Sequence, residues 1–301
     1  MRRMSAALAA AALLLGGTAC GQNRSPDPDS PDHGRPTVVA STDVWAGVAR
    51  AVTGEHARVD AIVSGPQGDP HSYEASPADA AKLTDATLVV YNGGHYDHWV
   101  GEVLENHPDV PAVDAYALTR QPVDEHVFYD VGTAKAVAER IADHLAEADP
   151  AHADDYRDNA AEFGRSADAL LAAQRALGRD HPDTAVVATE PVASALLSNA
   201  GIADRTPPGY AAAAAEGDDP APADIAAMLD LVEQREVAAV LVNPQAETTA
   251  GARVADAARD AGITLVTVTE TLPEGTDYLT WQREITDALA TALARPVPAT
   301  R

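Results

Sequence analysis

Residues 151–177, AHADDYRDNAAEFGRSADALLAAQRAL, form a run of 27 residues with few helix breakers. At a rise of 1.5 Å per residue, it predicts one helix about 40 Å long. A helix of this length in an α/β protein usually does more than cover one sheet, so we expect it to span two lobes. We assign residues 151–180 to this linking helix.

Short apolar runs alternate with helical patterns on both sides of the linking helix. Such alternation favours parallel sheets with right-handed crossovers. We therefore predict an α/β fold, with two parallel-sheet α/β lobes (37–150 and 181–294) joined by a single long rigid helix and followed by a tail (295–301). The predicted strands lie at 37–41, 59–63, 87–91, 184–189, 237–242 and 263–268. The other predicted helices lie at 44–52, 133–148, 192–199, 225–234, 250–261 and 278–293.

Two local patterns complete this assignment. Ser76-Pro77-Ala78-Asp79 has the cap, the proline and the acid of a helix start. Residues 206–223 contain several turn-forming residues, and we expect a mobile loop there.

The N-terminus has the composition of a secretory signal. Arg2-Arg3 precede an apolar run (6–15) and small residues up to Cys20, a pattern too short to span a bilayer stably. Cys20, the only cysteine of the chain, lies where a bacterial lipoprotein signal is cut and lipidated; an ordinary signal with an incidental cysteine is the alternative. We assign 1–20 to the signal and the Pro-, Asp- and Ser-rich residues 21–36 to a disordered tether. We expect a monomer anchored by lipid to the membrane.

Charge and composition restrict the function. The formal net charge is −25 and 46% of the residues are hydrophobic, so the chain can bury a core but would repel nucleic-acid phosphates. We therefore expect no nucleic-acid partner. An acidic, solvated surface would attract cations weakly.

Four side chains at the edges of predicted elements could bind a metal together. His71 follows Pro70, which restricts the backbone, and His126 precedes the helical region. Glu190 ends an apolar strand, and ligands gather at the carboxyl ends of parallel strands. Asp277 precedes the last helix. Taken singly, the histidines fit a solvated loop and the acids fit helix N-termini. Together, two imidazoles and two carboxylates suit a divalent transition metal.

Five short motifs, in one order along the chain, carry a family resemblance. This order resembles the metal-binding lipoproteins of bacterial ABC importers for zinc and manganese, the cluster A-I solute-binding proteins, over about residues 37–293. The motifs are DPHSYE (69–74), EHVFYD (125–130), ATEP (188–191), NPQ (243–245) and TETLP (269–273).

The resemblance implies a role and a site. The family fold would be two lobes joined by one rigid helix, with Zn2+ or Mn2+ bound between the lobes by His71, His126, Glu190 and Asp277. The partners implied are an ABC permease and its ATPase, at the outer face of the cell membrane. Many zinc-type members have histidine at the position of Glu190.

The chemistry of these four residues agrees with capture of a cation. Two neutral imidazoles and two carboxylates carry −2, which balances a divalent ion. Four protein ligands fill a tetrahedral zinc site and leave no water position, which argues against an enzyme. Carboxylates that bind through both oxygens would instead suit manganese or iron. The alternative functions are a surface adhesin or metal buffer and a secreted metallohydrolase.

Further polar residues are candidates for supporting roles. His95 and His98 form a possible auxiliary metal site or are plain loop histidines. Asn243 and Gln245, at a predicted strand end, could orient the ligands, and turn or packing roles are the alternative.

Overall fold

The computed structural model describes residues 34–65, 71, 73–120 and 124–295. The predicted signal with Cys20, most of the predicted tether and the Asp69-Pro70 pair lie outside the described residues. Within them, no helix is both long enough and apolar enough to cross a membrane.

Two four-stranded sheets, each entirely parallel, form the two lobes. In each sheet, the strand that comes first in the sequence stands second across the sheet. The connections therefore run in opposite directions on its two sides, and ligands bind at such switch points. The first sheet has β1 (Thr37–Thr42), β2 (Arg58–Val63), β3 (Leu88–Tyr91) and β4 (Ala112–Asp114), in the order β2-β1-β3-β4. The second has β5 (Ala185–Ala188), β6 (Ala203–Asp204), β7 (Ala239–Val242) and β8 (Thr264–Thr267), in the order β6-β5-β7-β8.

Helices cover both sheets and connect them. Those of the first lobe are α1 (Asp43–Thr53), α2 (Pro77–Thr84), α3 (His98–Glu105), α4 (Ala115–Leu118) and α5 (Val131–Ala148). The linking helix is α6 (Ala153–Asp180). The helices that follow are α7 (Ser194–Ala200), α8 (Pro208–Ala215), α9 (Pro222–Glu233), α10 (Thr249–Ala261) and α11 (Tyr278–Leu293). Short 3-10 turns lie at Val127–Tyr129, Pro150–His152, Pro191–Ala193 and Pro244–Ala246.

Helix α6 packs against both lobes. Its buried residues recur every three or four positions, which gives one apolar stripe along the helix. This stripe meets α1 and α5 of the first lobe and α7 and α11 of the second. At its buried polar position, Gln174 donates a hydrogen bond of 3.3 Å to Thr286 of α11. The predicted pair of parallel-sheet lobes joined by a long helix is therefore confirmed.

Local sequence signals explain several helix ends. Ser76 Oγ accepts the backbone N–H of Asp79, and the Asp79 carboxylate accepts the backbone N–H of Ser76, so the predicted capping box is present. The prediction of an irregular loop at 206–223 was wrong, because α8 lies within it. Pro208 fits the first turn of a helix, and the alanines that follow have the highest helix propensity. The short elements β4, β6, α3 and α4 were not predicted.

Candidate metal centre

Two imidazole nitrogens face each other in the first lobe. The Nε2 atoms of His71 and His126 lie 3.3 Å apart. The His126 side chain is 4% exposed and that of His71 32% exposed. The fully buried ring of Tyr96 stands edge-on to both, with ring centroids 4.7 Å from His71 and 5.6 Å from His126. The Tyr96 ring therefore limits the rotation of both imidazole rings.

A buried carboxylate from the second lobe completes this cluster. Glu270 Oε2 lies 3.3 Å from His71 Nε2 and 3.8 Å from His126 Nε2, on a side chain only 5% exposed. Tetrahedral zinc, with bonds of about 2.0–2.1 Å, holds its ligand atoms roughly 3.3 Å apart. The three donor atoms therefore already lie close to the spacing that a small divalent ion requires.

A second carboxylate, that of Glu190, is joined to Glu270 by one amide. Asn243 Nδ2 donates to Glu190 Oε2 over 2.7 Å and to Glu270 Oε1 over 2.8 Å. Burial raises the pKa of Glu190 to about 7, and the charge of Glu270 adds to this effect. Burial acts in the same direction on Glu270, but the His71 hydrogen bond and the charges of His126 and His71 outweigh it and lower its pKa.

Two further carboxylates set the direction of the imidazole rings. Glu125 Oε1 lies 3.4 Å from His71 Nδ1, and Asp124 Oδ1 lies 3.2 Å from His126 Nδ1. Asp124 Oδ1 also accepts the His126 backbone N–H over 2.7 Å. Carboxylates at Nδ1 leave Nε2 as the ligand atom and raise its basicity. Sequence reasoning missed both roles, although Asp124 and Glu125 directly precede His126.

Glu125 also belongs to an alternative donor group. Ligand atoms of His71, Glu125 and His126 all lie within 4.8 Å of one another. We favour Glu270 as the direct ligand because its Oε2 faces both Nε2 atoms, whereas Glu125 Oε1 faces the opposite nitrogen of His71.

The structure places Asp277 at the start of α11, as its N-cap. Its carboxylate caps α11 and accepts the Thr280 N–H over 2.9 Å and the Thr280 hydroxyl over 2.7 Å. It lines a separate cleft with Arg50 and Phe163. His71 and His126 lie together with Glu270, and Glu190 is joined to Glu270 through Asn243. The signal that could have identified Glu270 is its place after β8, next to β7 and Asn243 at the same sheet edge.

The predicted auxiliary pair lies elsewhere on the surface. His95 and His98 are both exposed, at the turn before α3 and at its first residue. Across the described part of the chain, neither belongs to a group of three potential metal ligands.

Hydrogen bonds connect the two lobes directly beside the cluster. The Tyr129 hydroxyl donates to the Thr269 carbonyl over 2.8 Å and accepts the Thr269 N–H over 3.0 Å. Asp43, at the start of α1, accepts the N–H of Leu272 over 3.1 Å and that of Gly65 over 2.9 Å. The segment that carries Glu270 is thus held against the lobe that carries the histidines.

Comparison with known proteins identifies the family of this chain. Residues 38–292 match the family described as ZnuA, zinc-uptake complex component A, periplasmic. The manganese-binding lipoprotein MntA of Halalkalibacterium halodurans is 33% identical over 134 residues, which cover 42% of this chain and 44% of that protein. The chain spans about half the length of the curated relatives it matches.

Solved structures share the fold over nearly their whole length. The periplasmic zinc-binding protein TroA from Treponema pallidum superimposes with a TM-score of 0.74 at 19% identity, covering 87% of this chain and 100% of TroA. The laminin-binding protein Lmb of Streptococcus agalactiae, described as bifunctional with adhesin and metal-transporting activity, gives a TM-score of 0.73 at 25% identity. That match covers 86% of this chain and 99% of Lmb.

Proposed function

We propose that this chain, which belongs to the ZnuA family of periplasmic zinc-uptake components, is the extracytoplasmic substrate-binding protein of a metal ABC transporter. It captures Zn2+ or Mn2+ between its lobes and delivers the ion to a membrane permease driven by an ATPase. The observation that carries the proposal is the triangle of His71 Nε2, His126 Nε2 and Glu270 Oε2, with sides of 3.3 to 3.8 Å.

The proposed ligands are His71, His126, Glu190 and Glu270. With neutral imidazoles and ionised carboxylates they carry −2, so the bound divalent ion leaves no net charge in a largely buried site. Four protein donors fill a tetrahedral shell, whereas a metallohydrolase needs an open position for water. The site therefore suits capture of a cation, and we propose that the protein is not an enzyme.

The location follows from the predicted signal. We propose that Cys20 carries the lipid that holds a monomeric protein at the outer face of the cell membrane. The lipoprotein nature of MntA supports this assignment.

A metal titration tests the proposal. Protein stripped with a chelator should gain thermal stability on addition of zinc or manganese, by about 2.7 kcal/mol when free metal is a hundredfold above the dissociation constant. Elemental analysis of protein purified without added metal should find the same ion. If neither metal raises the melting temperature and neither co-purifies, the proposal is wrong.

The similarity to Lmb favours adhesion as a second candidate function. Immobilised laminin should then retain the purified protein both with and without metal. Absence of retention at micromolar concentration would remove this candidate and leave the transport proposal unaffected.

A further inference from the structure

Glu270 lies between two residues that are hydrogen-bonded to the first lobe. The residue before it, Thr269, shares two hydrogen bonds with the hydroxyl of Tyr129, which donates to the Thr269 carbonyl over 2.8 Å and accepts its N–H over 3.0 Å. Two positions after Glu270, the N–H of Leu272 donates to Asp43 Oδ1 over 3.1 Å. The short segment that carries Glu270 is therefore attached to the first lobe at both of its ends.

The Tyr129 contact joins this segment to that of His126. Tyr129 follows His126 by three residues, in the 3-10 turn after that histidine, and its side chain is fully buried. Its partner Thr269 is fixed on the other lobe, because the Thr269 hydroxyl accepts the indole N–H of Trp281 on α11 over 3.1 Å. One hydroxyl group thus sets the position of the His126 backbone relative to that of Glu270.

The Asp43 contact joins the same segment to the chain that leads to His71. The second carboxylate oxygen of Asp43, Oδ2, accepts the N–H of Gly65 over 2.9 Å, and Gly65 lies six residues before His71. Asp43 is 9% exposed at the first position of α1, so water competes little for its oxygens. One carboxylate thus binds the chain before His71 and the chain after Glu270.

These contacts control distances on which metal affinity depends. The donor atoms come from both lobes, since Glu270 Oε2 lies 3.3 Å from His71 Nε2 and 3.8 Å from His126 Nε2. A binding site has to hold its donors within roughly 0.5 Å of the geometry that the ligand needs. Hydrogen bonds within two residues of Glu270 fix the two lobes at the place where this tolerance applies.

We propose that Tyr129 and Asp43 are positioning residues that hold Glu270 against the two histidines and so raise the affinity for the metal. The inference rests on the proposed function and adds two residues to those that carry it. Both act on backbone groups, Tyr129 on those of Thr269 and Asp43 on those of Gly65 and Leu272. Each therefore shapes the site without binding the ion.

Two conservative variants test this inference. Tyr129→Phe keeps the buried ring and removes the hydroxyl, and Asp43→Asn keeps the size of the side chain but replaces one acceptor oxygen by an NH2 group, which cannot accept. Competition with a chelator of known affinity gives the zinc dissociation constants. We expect each variant to bind zinc about tenfold more weakly, the scale for groups that orient metal ligands, and to release it faster in stopped-flow mixing with excess chelator.

Tyr156→Phe is the matched control. Tyr156 is also fully buried, but its hydroxyl donates to Asp149 over 2.9 Å near the start of α6 and not to a segment that carries a proposed ligand. We expect this variant to lose stability in urea, as Tyr129→Phe does, and to keep the zinc affinity of the wild type. Wild-type zinc affinity in Tyr129→Phe or in Asp43→Asn would overturn the inference for that residue.

A double-mutant cycle shows whether the effect passes through Glu270. In a Glu270→Gln background the charged oxygen that the contacts position is gone, so Tyr129→Phe and Asp43→Asn should weaken zinc binding by much less than they do in the wild type. The same loss in both backgrounds would indicate general loosening of the protein and overturn the inference. Zinc binding by the wild type would still uphold the proposed function. If the wild type binds neither zinc nor manganese, the proposed function fails and the inference with it.

Discussion

His71 and His126 direct their Nε2 atoms at each other from 3.3 Å, while a carboxylate occupies the Nδ1 side of each ring. Only a hydrogen or a cation between the two nitrogens makes such an approach favourable, since two lone pairs repel. The spacing of the two nitrogens suits an ion bound by both rings.

Removal of either imidazole should abolish most of the stabilisation by metal. We expect His71→Ala and His126→Ala to lose most of the zinc-induced rise in melting temperature, because three ligands remain and one of the two Nε2 donors is gone. Differential scanning fluorimetry with and without zinc measures this. His98→Ala is the control, since His98 is exposed on α3. A full metal response in His71→Ala would exclude His71 as a ligand.

Substitutions of Glu270 and Asp277 should affect different properties, zinc affinity for the first and stability for the second. Glu270→Gln should weaken zinc binding strongly, because the oxygen that faces both histidines loses its charge. Asp277→Ala should lower the free energy of unfolding by about 1 kcal/mol, the usual value of a helix cap, and leave the zinc affinity unchanged. Calorimetric titration and urea unfolding of both variants test this. The reverse pattern would restore Asp277 as the ligand.

The carboxylate behind His126 should affect affinity without binding the ion. We expect Asp124→Ala to weaken zinc binding by about 10- to 100-fold, because the ring loses the acceptor that holds Nε2 toward the site. Asp143→Ala serves as control, since that side chain is 63% exposed on α5. Equal zinc affinities for the two variants would show that Asp124 does not orient His126.

The raised pKa of Glu190 makes metal binding depend on pH. Without metal, Glu190 keeps its proton up to about pH 7 in the folded protein, whereas in the unfolded chain it loses the proton above its ordinary pKa of 4.5. The contribution of Glu190 to the free energy of unfolding is therefore lost as the pH rises from 4.5 through about 7. Below that pH the proton competes with the metal, so zinc affinity should rise from pH 6 to pH 8. Titration calorimetry in buffers of different ionisation enthalpy should show proton release at pH 6.

Substitution of Glu190 should raise the stability of the metal-free protein and weaken metal binding. At pH 8, Glu190→Gln should stabilise the metal-free protein by up to about 3 kcal/mol, the equivalent of the shift from 4.5 to about 7. The same variant should lose most of the metal response. Urea unfolding at pH 8 measures the first effect, and a variant less stable than wild type would contradict the assigned cost of burial.

Periodicity along the chain predicted the two lobes and the linking helix, because apolar spacing is a local property. It missed α8, since Pro208 and Gly209 resemble a turn until the alanines after them are packed. The site was harder to predict. Glu270 and Asp277 are both acids near the last helix, and only the pairing of β8 with β7 decides which one meets the histidines. The Asn243 bridge likewise depends on distances across the sheet.

The repeated strand order of the two sheets has a mechanical consequence. In the proposed site, each half of the chain supplies two donors, imidazoles from the first and carboxylates from the second. An ion bound there would therefore link the two halves of the chain.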